Sequence, residues 1–139
     1  MTPKKHTIIL IEDNPQDIEL MSRVFSKLSD PLELRVAEDG EQALHLLTES
    51  FSQGFSPALI LLDIKLPKIN GLDLLARFKN DSAWKRIPII IFSSSDQEKD
   101  IERAYELGVN SYIPKPKSYP LLKETLALIT NYWLNYNLC

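Results

Sequence analysis

ALILLDIKLPKINGLDLLARFKN, residues 58–80, carries the clearest signal of architecture in the chain. Ala58–Leu62 is an unbroken apolar run that stops at Asp63. A short run with no alternation suits a strand covered on both faces, as in a parallel sheet. Pro67 and Gly71 punctuate the loop that follows, and a helix is expected over roughly Leu72–Asn80.

Toward the N-terminus the same unit recurs. Thr7–Ile11 is a short apolar run that ends at Glu12-Asp13. Asn14-Pro15 then reads as a helix N-cap with proline at the first helical position. Ile18, Met21, Phe25 and Leu28 follow at helical spacing until Pro31, and Leu32–Ala37 reads as a second strand. Asp39 opens the next helix with Gln42 as capping partner, and Ala43, Leu44 and Leu47 form its inner face. Toward the C-terminus, Ile87–Phe92 is a fourth strand. Ser95 and Glu98 form a capping-box pattern for a helix that ends near Gly108. Ser111–Pro114 is a short fifth strand, and a long helix runs from Tyr119 to about Tyr136. Strands alternating with helices imply an α/β fold, a parallel sheet covered on both faces with right-handed crossovers. One domain spanning 1–139, with an extended C-terminal helix, accounts for the sequence.

Composition narrows the function. A net charge of -3 disfavours a general grip on nucleic acid, which calls for a basic face. His6 and His45 are isolated and read as ordinary surface or helix residues. The single cysteine, Cys139, allows no internal disulfide and suits a reducing cytosol. The N-terminal apolar run is too short for a signal peptide or a membrane span. A cytoplasmic protein is expected.

In open α/β sheets, sites form at the carboxyl ends of strands beside a topological switch point. Strand one delivers Glu12 and Asp13 there, strand three Asp63, strand four Ser93 and strand five Lys115. In the doubly wound order 2-1-3-4-5, strands one and three are neighbours, so three carboxylates share one pocket. Like charges that close raise at least one pKa. A hard divalent cation relieves the crowding: Mg²⁺ takes oxygen ligands, and Mn²⁺ or Ca²⁺ can substitute. Glu12, Asp13, Asp63 and the backbone carbonyl of Lys65 are the expected ligands. Asp63 can act as nucleophile toward a phosphoryl group, giving an aspartyl phosphate. The Lys115 ammonium and the Ser93 hydroxyl can hold the phosphoryl oxygens. Each residue also has a plainer reading. The acid pair can merely start a helix, Lys115 can be a surface ion pair, and Ser93 can cap the next helix, although Ser95 is better placed to do so.

These residues, in this order, resemble the receiver domains of two-component signalling. Glu12-Asp13 resembles the family's metal-binding pair. Asp63 with Pro67 and Gly71 resembles the phosphoacceptor and its loop. Ile89–Ser93 resembles the strand ending in the switch hydroxyl, Tyr112 the aromatic switch residue, and Lys115-Pro116 the Lys-Pro pair. The strings IEDNPQDIEL (11–20) and ITNYWLNYNLC (129–139) are similar to single-domain regulators that partner cyanobacterial phytochrome histidine kinases. The resemblance implies a flavodoxin-like sheet and a phosphoryl group passed from a histidine kinase to Asp63. It further implies that Ser93 moves toward that group, that Tyr112 follows inward, and that the helix 4, strand 5 and helix 5 face changes shape. A cis Lys115–Pro116 bond is also implied. Lys65, two positions past Asp63, is a departure that bears on phosphoryl lifetime. Tyr112 is otherwise a half-buried strand aromatic.

In the last helix, Leu122, Leu126, Ile129 and Trp133 form one apolar stripe that faces the sheet. Leu121, Leu128 and Tyr132 form a second, which packs on a symmetric copy or widens the monomer core. Output is expected through an unknown downstream protein, not DNA. Three rival readings remain. An aspartyl-phosphate phosphatase of the haloacid dehalogenase type needs an acid where Lys65 stands. A flavin mononucleotide binder needs a phosphate loop where Glu12-Asp13 stand. A phosphorylation-independent interaction module on the same fold is the third.

Overall fold

The computed structural model describes residues 6–138. The basic N-terminal lysines and Cys139 lie outside the described residues. Five strands, β1 (His6–Ile11), β2 (Leu32–Ala37), β3 (Leu59–Leu62), β4 (Ile89–Ser93) and β5 (Ser111–Pro114), form one parallel sheet in the order β2-β1-β3-β4-β5. The helices are α1 (Pro15–Ser26), α2 (Gly40–Ser52), α3 (Gly71–Lys79), α4 (Glu98–Glu106) and α5 (Tyr119–Asn131). The expected fold and strand order are both present.

The apolar strands alternate their side chains between two cores. Ile9, Ile11, Ile60, Leu62, Ile89 and Ile91 face α2, α3 and α4. Ile8, Leu10, Leu59, Leu61, Ile90 and Phe92 face α1 and α5. Both faces are therefore dry, which is why β3 and β4 read as unbroken apolar runs.

Local chemistry explains most boundaries. Asn14 Oδ1 accepts from the Gln16 and Asp17 amides, and Pro15 follows it. Asp39 Oδ1 accepts from the Gln42 amide while Gln42 Oε1 accepts from the Glu38 amide, which pins the start of α2. One expectation fails here, and another holds in extent but not in type. The helix after β4 starts at Glu98, behind Gln97, with no side-chain cap. Ser95 instead donates from Oγ to Asp100 Oδ2 at 2.7 Å, so it fastens the preceding loop to the first turn. The final α-helix stops at Asn131, and Tyr132–Tyr136 continue as a wider π turn closed by the Asn137 amide on the Tyr132 carbonyl. The extra residue in that turn lets both Trp133 and Leu134 pack on the α1/α5 core.

The first stripe of α5 is buried as expected at Leu122, Leu126 and Ile129, with Trp133 partly so. The second stripe does not widen the core: Leu121, Leu128 and Tyr132 are 53%, 64% and 52% exposed.

Candidate functional site

β1 and β3 pair with Ile11 opposite Leu62, so Glu12 and Asp63 leave the sheet side by side. The Asp63 amide donates to the Ile11 carbonyl at 3.1 Å and extends that pairing past the strand end. Carboxylate oxygens of Glu12, Asp13 and Asp63 all lie within 4.8 Å of one another. Glu12 and Asp63 are buried, while Asp13 faces solvent.

Backbone amides orient the two buried acids. Glu12 Oε2 accepts from the Asp13 and Asn14 amides at 3.1 and 3.2 Å. Asp63 Oδ1 accepts from the Ile64 amide at 2.7 Å. Their other oxygens face Lys115, which arrives from the end of β5 because its amide donates to the Ser93 carbonyl at 2.9 Å. The ammonium donates to Glu12 Oε1, to Asp17 Oδ2 at 2.8 Å and to Asp63 Oδ2 at 3.2 Å.

This crowding shows in the acid–base balance. Burial pushes the Glu12 carboxyl up to about 7, with the Asp63 charge adding to the rise and the Lys115 hydrogen bond opposing it. Desolvation would lower the Lys115 ammonium, but hydrogen bonds to Asp17 and Glu12 and the Asp63 charge outweigh it and push it up. The two shifts pull on one contact in opposite senses, one toward a neutral acid and one toward a firmly charged base. The ammonium is charged throughout, because three carboxylates surround it and all three contacts require its hydrogens, and above about pH 7 the Glu12 contact is ionic as well.

One cation does not neutralise four acids (Glu12, Asp13, Asp17 and Asp63). The surplus charge and the oxygen-only donor set fit a hard divalent cation held by Glu12, Asp13 and Asp63. Lys65, whose carbonyl was the expected fourth ligand, lies in the loop after β3 with its side chain exposed. That loop is held close to the sheet by Gly71. A Cβ there would stand 2.1 Å from the Asp63 carbonyl oxygen and 2.7 Å from Ile64 Cα. The Gly71 amide donates to the Ile64 carbonyl at 2.8 Å. Between them, Lys68 adopts φ 68° as the Ile69 amide turns back onto the Pro67 carbonyl at 2.8 Å, a conformation uncommon outside glycine.

Ser93 ends β4 fully buried, and Ile91 pairs with Leu62, so Ser93 and Asp63 reach the same edge. Ser93 is already engaged: its Oγ accepts from the Ser95 amide at 3.2 Å. That leaves the hydroxyl hydrogen able to donate elsewhere. Ser95 therefore does not free Ser93 by capping α4. Tyr112, opposite Ile91 in β5, is half-buried and donates from its hydroxyl to the Ser95 carbonyl at 2.8 Å. The Lys115–Pro116 bond is trans, as are all peptide bonds among the described residues, against the expected cis form. Trans is the intrinsically favoured isomer by about 0.5–1 kcal/mol, and Lys115 reaches its three acids with that bond trans.

Asp17 is the site residue that sequence reasoning missed. Its partner lies 98 positions away, so no local pattern pairs them. The available signal was its place in the first turn of α1, just behind the acid pair.

The family described as the response regulator receiver domain matches residues 8–127. The probable methanogenesis regulatory protein FilR2 of Methanothrix harundinacea is 37% identical, over 94% of this chain and 84% of its own. Response regulator Rcp1 of Synechocystis is 34% identical, over 91% of this chain and 88% of its own. Its Mn²⁺-bound form superposes with a TM-score of 0.86 at 32% identity, covering 96% of this chain and 97% of that one. The phosphorylated cyanobacterial phytochrome response regulator RcpA superposes with a TM-score of 0.90 at 35% identity, covering 97% of this chain and 98% of that one. No helix among the described residues is long and apolar enough to cross a membrane. With three carboxylates at one sheet edge, a lysine drawn onto them and a family match along most of its length, the chain belongs to the response regulator receiver domains.

Proposed function

We propose that the chain is a stand-alone response regulator that accepts a phosphoryl group from a histidine kinase onto Asp63. The observation that carries this reading is the placement of the Asp63 carboxylate, buried among Glu12, Asp13 and the Lys115 ammonium at the carboxyl edge of the sheet. An oxygen of Asp63 attacks phosphorus, the P–N bond to the kinase imidazole breaks, and an acyl phosphate forms. Glu12, Asp13, Asp63 and the Lys65 carbonyl would hold a divalent cation, Mg²⁺ or in its place Mn²⁺ or Ca²⁺, which would supply charge to offset the incoming group. Lys115 holds one phosphoryl oxygen and Ser93 donates to another. Water later cleaves the acyl phosphate, assisted by the same site.

The signal leaves through the loop after β4. Ser93 moving toward the phosphoryl group releases or drags the Ser95 amide that it now holds. Tyr112, bonded to the Ser95 carbonyl, follows. Phosphorylation thereby biases an existing two-state equilibrium toward a changed shape of the face made by α4, β5 and α5. The exposed Leu121, Leu128 and Tyr132 stripe mediates a homodimer. Similarity to the phytochrome response regulator RcpA supports a phytochrome as the kinase; a cytoplasmic setting and a protein as downstream partner complete the reading.

Incubation with a small phosphodonor and Mg²⁺, read by intact mass, is expected to add one phosphoryl group to the wild type and none to Asp63→Ala. A wild type that stays unmodified across several donors would favour a phosphorylation-independent interaction module. Phosphotransfer from a phytochrome kinase faster than from an unrelated kinase is the expected sign of the partner.

A further inference from the structure

We propose that Asp17 is a positioning residue that holds the Lys115 ammonium in reserve and must release it when Asp63 is phosphorylated. Asp17 thereby sets how readily the site takes a phosphoryl group. The inference rests on Asp63 being the phosphoacceptor.

An ammonium has three donors, and all three are committed: to Glu12, to Asp17 at 2.8 Å and to Asp63 at 3.2 Å. A phosphoryl oxygen arriving on Asp63 must take one of these places. The three acids differ in what release costs them. Glu12 is 1% exposed and its other oxygen is already pinned by two amides, so losing the lysine leaves a buried charge with less compensation. Asp63 loses its own charge on phosphorylation, but the dianion it then carries stays beside the lysine and draws the ammonium from its other partners. The Asp17 side chain is 35% exposed and sits in the first turn of α1, where water and the helix N-terminus stabilise a carboxylate. Asp17 is therefore the partner that gives way.

Its surroundings permit the exchange. A cavity of about 130 Å³ opens beside the pair and is lined by Asp17, Leu20, Lys115, Lys117 and Tyr119, among others. Lys117 offers the released carboxylate a second cation. Until release, the Asp17 charge both occupies Lys115 and repels an incoming dianion.

The test uses the full chain at saturating Mg²⁺. It measures the rate of phosphorylation by acetyl phosphate and the affinity for beryllofluoride, a small phosphoryl mimic. Asp17→Asn is expected to be phosphorylated about 3- to 10-fold faster and to bind beryllofluoride tighter by a similar factor. Asp17→Glu, which keeps a carboxylate, returns toward the wild-type values. Asp17→Ser repeats the test with a second side chain, and thermal melting of each variant confirms folding. A residue that merely starts the helix would lower the melting temperature without accelerating phosphorylation. Asp17→Asn and Asp17→Ser no faster than the wild type, with a wild type that is phosphorylated, overturn the inference alone. A wild type that takes no phosphoryl group overturns the reading of Asp63 as well.

Discussion

At the scale of single residues, the site is a problem of too many acids for one base. Lys115 stands among three carboxylates and is mostly buried. Removing it as Lys115→Ala leaves those charges facing one another, and a loss of about 2–4 kcal/mol is expected in urea unfolding without divalent cation. Saturating Mg²⁺ should recover part of it. Glu12 adds a pH dependence. Burial raises its carboxyl from 4.5 to about 7, so between those values the folded chain holds a proton that the unfolded chain has lost. This group's contribution to stability is therefore present at low pH and is lost as pH rises through about 7. Without metal, the urea midpoint of the wild type is expected to fall relative to that of Glu12→Gln between about pH 5 and 8, and Mg²⁺ should remove the difference. Gly71 is a steric case. Gly71→Ala drives a methyl group into the Asp63 backbone, so a cost of about 1–3 kcal/mol or more and slower phosphorylation of Asp63 are expected together. The glycine was visible in the sequence as punctuation. Its reason, the approach of α3 to the acceptor, was not.

At the scale of elements, α5 shows how one helix carries two messages. Leu126 is fully buried against the α1/α5 core, and Leu126→Ala is expected to cost about 2–5 kcal/mol in unfolding. Leu128, two residues on, is 64% exposed, and Leu128→Ala is expected to move monomer stability by less than about 0.5 kcal/mol. If the outer stripe joins two copies, the double variant Leu128→Ala/Tyr132→Ala shifts sedimentation or light scattering toward monomer. An unchanged mass, or a wild type already monomeric at high concentration, would remove the dimer. The stripe itself was legible from helical spacing. So was its end near Tyr136; the change to a π turn over Tyr132–Tyr136 was not, because it accompanies the packing of Trp133 and Leu134 and no residue type announces it. The start of α4 escaped for a related reason. Ser95 and Glu98 have capping-box spacing, but the serine is already held by Tyr112 and Asp100.

At the scale of the whole molecule, metal binding and folding are linked. A cation that binds only the folded cluster stabilises it by about 2.7 kcal/mol at a concentration one hundred times its dissociation constant. Mg²⁺ or Mn²⁺ is thus expected to raise the thermal midpoint of the wild type and to leave that of Asp13→Asn nearly unmoved. Equal shifts in both would place the ion elsewhere. Local pattern along the chain was enough for the alternation of strands and helices, the parallel sheet and the acids, hydroxyl and lysine at the strand ends. It was enough because apolar runs, caps and breakers act over a few neighbouring residues. Strand order then brought Glu12, Asp63 and Ser93 to one edge, as expected. Folding in three dimensions adds that Asp17 shares Lys115, that Ser93 is already bonded to the Ser95 amide, and that Lys115–Pro116 is trans. The first joins residues 98 positions apart, where Coulomb and hydrogen-bond energies change over ångströms; the other two join near neighbours but answer to the wider fold, through Tyr112 on the Ser95 carbonyl and the acids around Lys115.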